Sequence, residues 1–89
     1  MFRVRWEKSA LDELTSLWLK SESALRHMIN AAVNQIEQLL RTNPLRRGES
    51  RGEGRRILFA APLGITFRVE KDRRTVSVSR VWLYRVRGK

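Results

Sequence analysis

RILFAAPLGITFRVEKDRRTVSVSRVWLY, residues 56–84, decides the fold. RILFAA (56–61) reads as a strand. ITFRVE (65–70) sets Ile65, Phe67 and Val69 against Thr66, Arg68 and Glu70. TVSVSRVWLY (75–84) sets Val76 and Val78 against Ser77 and Ser79. A period of two marks a half-buried strand. Ala61-Pro62-Leu63-Gly64 is a turn with proline and glycine in favoured places, and Lys71-Asp72-Arg73-Arg74 is the next. Strands joined so tightly form an antiparallel meander. The last strand breaks its phase at Arg80, which its alternation would place with Val76 and Val78. Either the strand leaves the core there, or a bulge reverses its faces.

Upstream, FRVRWE (2–7) alternates strictly, with Phe2, Val4 and Trp6 on one side and Arg3, Arg5 and Glu7 on the other. Ser9 then offers an N-cap with Asp12 three residues on, a near capping box. Ala10, Leu11, Leu14, Leu17 and Trp18 recur at helical spacing and predict a helix over 9–20. Leu25, Met28, Ile29, Ala32, Val33, Ile36, Leu39 and Leu40 predict a second, amphipathic helix over about 22–42, on the order of 30 Å long. Asn43-Pro44 stops it. A short turn at Ser21 to Ser23 makes the two helices a hairpin. The expected architecture is α+β, in the order β-α-α-β-β-β: an antiparallel sheet with a two-helix hairpin packed on one face and the other face partly open. Residues 1–89 make a single domain.

Charge is segregated. Residues 1–40 hold five Lys/Arg and five Asp/Glu, whereas residues 41–89 hold fourteen and four, so the whole net charge of +10 lies in the second half. Such asymmetry attracts RNA, DNA or an acidic protein segment. The densest run is RTNPLRRGESRGEGRR (41–56). It is too polar for a core and too glycine-rich for a rigid helix end. Arginine forks match phosphate and carboxylate alike, so Arg46, Arg47, Arg51, Arg55 and Arg56 are expected to form a mobile basic rim beside the open sheet face. There is no cysteine, which excludes disulfides, thiolate metal sites and a cysteine nucleophile and suits a reducing cytoplasm. The sole histidine, His27, lies off the apolar stripe and makes no zinc site, and no acidic cluster suggests magnesium. The longest apolar run, 57–65, is far too short for a membrane span.

The opening strand FRVRW, a helix starting at SALDEL, the paired helices, GRRILFAAPLGITFRVE and the final TVSVSRVWLYR resemble the RelE/ParE family of bacterial type II toxin–antitoxin toxins. The resemblance covers nearly the whole chain. It implies a small basic cytoplasmic protein, silenced by a cognate antitoxin whose extended or helical segment wraps it. The RelE branch cuts mRNA on the ribosome, without metal or other cofactor, through the RNA 2′-hydroxyl. The ParE branch poisons DNA gyrase.

Carried over residue by residue, the family's basic positions on the second strand fall near Arg55 and Ile57. The arginine that opens the third strand falls at about Gly64, and the arginine after the last strand falls at Arg85. The family's late tyrosine follows that arginine, whereas the only tyrosine here, Tyr84, precedes it. Arg55 and Arg85 are thus the candidates for stabilising a scissile phosphate, within an incomplete catalytic set. Arginine is a poor general base, and Glu49, Glu53, Glu70 and Asp72 can serve as one only if the fold brings them to the basic face. Arg46, Arg47, Arg51, Arg56, Arg68, Arg80 and Trp82 are candidates for contacting RNA or antitoxin. Trp82 can stack on a base, pack on the sheet or pack against an antitoxin side chain. Three functions follow: an mRNA-cleaving toxin that stops translation, a non-catalytic ParE-like gyrase poison or antitoxin-binding relic, and a general basic RNA-binding protein.

Overall fold

In the computed structural model, residues 1–84 are described. The elements are β1 (Arg3–Trp6), α1 (Lys8–Lys20), α2 (Ser23–Thr42), a 3-10 turn (Pro44–Arg46), β2 (Glu49–Ser50), β3 (Arg55–Ala60), β4 (Leu63–Glu70) and β5 (Thr75–Leu83). They form one five-stranded sheet in the order β1-β5-β4-β3-β2. The meander β3-β4-β5 is antiparallel, as its alternation and short turns require. β1 runs parallel to β5, with Arg3 opposite Thr75 and Trp6 opposite Val78, so the sheet as a whole is mixed. A parallel pair needs a long crossover, and the helical hairpin supplies the first part of it.

The basic run also contributes a strand. Glu49 and Ser50 pair with Ile57 and Arg56, which extends the sheet where only a rim was expected. Gly48 leads into this strand at φ +75, and a Cβ there would lie 2.5 Å from the Ile57 carbonyl oxygen. Only glycine lets the chain pass so close to β3 in that conformation.

One sheet face carries the core. Leu63, Ile65 and Phe67 of β4 and Val76, Val78 and Val81 of β5 are buried against Ala10 of α1 and Ile29, Ala32, Ile36 and Leu40 of α2. The helix-two residues follow the steps of three and four seen in the sequence. Each large side chain buried this way stabilises the fold by roughly 1.5–3 kcal/mol. A bulge resolves the phase problem in β5. Thr66 faces Arg80 while Phe67 faces Val78, so Ser79 is the extra residue. Val78 and Val81 therefore both point inward, and Arg80 is exposed.

α1 begins one residue before the expected boundary, because Glu7 is still tied to the sheet. Its N–H donates to the Val78 carbonyl at 2.9 Å while its own carbonyl accepts from Leu11 N–H at 2.9 Å. Ser9 is therefore inside the helix and caps nothing; its hydroxyl donates to the Ser79 carbonyl at 3.0 Å. The hairpin is closed by Arg26. Its Nε and Nη2 donate to the carbonyls of Trp18 and Leu19 at 2.8 and 3.1 Å, and its guanidinium lies 4.2 Å from the Trp18 ring centroid. Those carbonyls sit at the end of α1, where cations are favoured. Trp6 is half-buried at the seam between β1 and α2, its indole N–H donating to Glu37 at 2.6 Å. His27 is exposed.

Candidate nucleic-acid interface

The face turned away from the helices takes the polar residue of each alternating strand. Arg5 of β1 lies opposite Ser77 of β5, Ser77 opposite Arg68 of β4, and Arg68 opposite Arg55 of β3. Three arginines thus stand in one row across four strands, a span of roughly 14 Å at about 4.8 Å per strand step. The row lines a shallow depression of about 410 Å³, together with Glu7, Glu70, Arg73, Ser77 and Ser79.

Like charges directly opposite one another destabilise a sheet, so Arg55 against Arg68 is a local cost. Glu53 offsets part of it at 3.7 Å from Arg55. Among the described residues, neither Arg5 nor Arg68 has an ion pair. The row therefore has the chemistry to hold an anion, with four arginines lining the depression against two carboxylates. Glu7 and Glu70 border the same depression. Glu70 was among the acids read from the sequence; Glu7 was not, because it belongs to the neutral first half of the chain.

The other sequence-derived candidates scatter. Arg46 and Arg47 are exposed at the 3-10 turn. Arg51 is paired with Glu49 at 3.1 Å. Arg56 lies on the opposite strand face to Arg55, in register with Phe67, and its Nε donates to the Arg47 carbonyl at 2.9 Å. None of these four belongs to the row: three sit in the loop and Arg56 on the other face of β3. Arg80 is drawn to α1, its Nε donating to Glu13 at 3.0 Å. Arg85 lies outside the described residues. Arg5 and Arg73 were missed; Arg5 carried a signal, as the polar partner of an alternating strand.

Further along the same face the sheet turns aromatic. Trp82 stands opposite Gly64, and Gly64 opposite Phe59. A Cβ at Gly64 would lie 2.6–2.7 Å from Cε2, Cζ2 and Nε1 of Trp82, so the indole rests directly on the glycine backbone. Phe59 meets Trp82 edge-on at 6.2 Å and Tyr84 at 4.5 Å with a 39° tilt between the rings. Trp82 thus packs on the sheet, one of the three roles its position allowed.

The helical side holds a different feature. Leu14, Thr15, Trp18, Ile29, Asn30, Val33 and Asn34 line a cleft of about 500 Å³ between α1 and α2. Part of the helix-two stripe is therefore not covered by the sheet. Among the described residues, no helix is long and apolar enough to cross a membrane.

No family model matches the sequence, and no curated protein matches it. Solved structures do match. A chain of the chromosomal ParDE toxin–antitoxin system of P. aeruginosa superposes with a TM-score of 0.75 at 19% identity, covering 96% of this chain and 98% of that one. A chain of the RelBE2 toxin–antitoxin complex of Mycobacterium tuberculosis gives 0.70 at 21% identity, covering 92% and 90%. The isolated E. coli RelE toxin gives 0.64 at 13% identity, covering 98% and 88%. With nearly the full length superposing on each of them, this chain has the RelE/ParE toxin fold.

Proposed function

We propose that this protein is the toxin of a type II toxin–antitoxin pair, held inactive in the cytoplasm by a cognate antitoxin, and that its open sheet face engages mRNA on the ribosome to stop translation. The observation that carries this reading is the row Arg5, Arg68 and Arg55, three guanidiniums in register on the face away from the helices. A phosphodiester on that row receives charge-assisted hydrogen bonds. Arg55 and Arg68 stabilise the charge that develops on a scissile phosphate. In this reading Glu7 or Glu70, lining the same depression, takes the 2′-hydroxyl proton as that oxygen bonds to phosphorus. The P–O5′ bond breaks, and the departing 5′-oxygen takes a proton from solvent. The likeness to toxins solved in complex with antitoxins supports a protein partner, and the apolar cleft between α1 and α2 suits the apolar side of its segment.

A second reading is favoured by Trp82. The strand-opening position where RelE toxins carry an arginine is Gly64 here, and the indole covers it. That fits a non-catalytic, ParE-like poison of gyrase. Inducing the full-length protein, with and without the antitoxin encoded beside it, and mapping mRNA ends tests both. Growth arrest with new ends inside translated frames, relieved by the antitoxin, is expected. Arrest with intact messages and an SOS response would transfer the assignment to gyrase. Unchanged growth would remove toxicity.

A further inference from the structure

We infer that the aromatic end of the open face is a nucleobase-stacking subsite, with the ring of Phe59 as its platform and Gly64, Trp82 and Tyr84 as its seat. This deepens the reading of the arginine row as an RNA site and rests on it.

Phe59, a large aromatic side chain near the end of β3, the outer strand of the meander, is 45% exposed, and β2 pairs only with Arg56 and Ile57 before it. Trp82 and Tyr84 flank its ring, and nearly half of the residue is open to solvent. Trp82 cannot serve as the platform itself, because its indole lies against the Gly64 backbone and supports the edge of Phe59. Tyr84 contacts Phe59 at 4.5 Å, close enough that nothing stacks between the two rings. A planar ligand therefore meets the free side of Phe59.

The neighbouring charge specifies the kind of planar ligand. Phe59 and Arg55 lie on the same face of β3, four residues apart, or about 13 Å at roughly 3.3 Å per residue. On β4, Gly64 and Arg68 repeat that spacing. A molecule with anionic groups on the arginine row and a flat aromatic group on Phe59 is a short run of single-stranded nucleic acid, which combines a charged backbone with stacking bases. An acidic peptide matches the arginines equally well. Its aliphatic side chains, however, need a concave seat, and that seat is the cleft between the helices. Phe59 is a positioning residue for the base and takes no part in proton transfer.

The test uses the full-length chain and a fluorescein-labelled oligoadenylate, with binding followed by anisotropy at several salt concentrations. A matched set of oligonucleotides carries one abasic residue walked along the strand. Phe59→Leu should weaken binding about five- to 100-fold, and Phe59→Trp should restore it. One abasic placement should weaken wild-type binding by the same factor and leave Phe59→Leu unaffected. The salt slope should be the same for all three proteins, because no phosphate contact is lost. Oligoadenylate binding that ignores both Phe59→Leu and every abasic placement would overturn the subsite while leaving the arginine row intact. No binding of any oligonucleotide would overturn the RNA reading itself, and the subsite with it. Phe59→Leu weakening only the cognate antitoxin, with RNA binding unchanged, would reassign the surface to a peptide.

Discussion

Glu13 uses both carboxylate oxygens on the free edge of β5: Oε1 accepts the Val81 N–H at 2.8 Å and Oε2 accepts Arg80 Nε at 3.0 Å. β1 ends opposite Val78, so beyond that point β5 has no strand beside it on that edge. α1 takes the place of the strand. Ser9 occupies the Ser79 carbonyl and Glu13 the Val81 amide, which closes an edge that would otherwise pair with other chains.

Replacing Glu13 by alanine should therefore destabilise the protein by about 1–3 kcal/mol, since a part-buried amide loses its acceptor. Glu13→Gln keeps a carbonyl oxygen for that amide and should fall between the two. Urea denaturation of the three proteins gives the order.

Gly64→Ala should cost about 1–3 kcal/mol through overpacking, because its Cβ lands on the Trp82 indole. The ring must swing off the backbone. Tryptophan fluorescence, read in a background with Trp6 and Trp18 changed to phenylalanine, should shift to the red.

Arg68 separates stability from binding. It stands opposite Arg55 with no ion pair among the described residues, so Arg68→Gln should change stability by no more than about 0.5 kcal/mol, in either direction. The same change should weaken RNA binding and flatten the salt dependence by roughly 0.7 on a single strand, the share of one phosphate contact. A large loss of stability would mean that Arg68 serves the fold instead.

Arg26→Ala removes two hydrogen bonds to the last carbonyls of α1 and a cation over the Trp18 ring. A loss of about 1–2 kcal/mol is expected. Arg26→Lys should recover only part of it, because an ammonium cannot reproduce the planar fork. Thermal unfolding of the three proteins measures the difference.

The helices and the meander were legible because their periods are local. Ile29, Ala32, Ile36 and Leu40 declare a helix face within one element, and Ile65 and Phe67 a strand face. Even the bulge showed, as a broken phase at Arg80. What failed to show was partnership. Nothing near FRVRW says that it lies parallel to the last strand, and two residues, Glu49 and Ser50, are too few to read as a strand at all. The site suffered most from this. Charge density pointed to the 41–56 loop, yet alternation sends Arg55 and Arg56 to opposite faces, and Glu13 claims Arg80 from the far end of the chain. The row is assembled by register, one arginine from each of three strands, and register is a property of the finished sheet.

The parallel pairing of β1 with β5 joins segments far apart in the chain, Arg3 lying beside Thr75. Long-range closure of this kind is slow and waits for its second half. The helical hairpin, being local, can form early, but Arg5 has no Ser77 beside it until that distant closure is made. The cationic face thus depends on that closure, and a partly folded chain does not carry it whole.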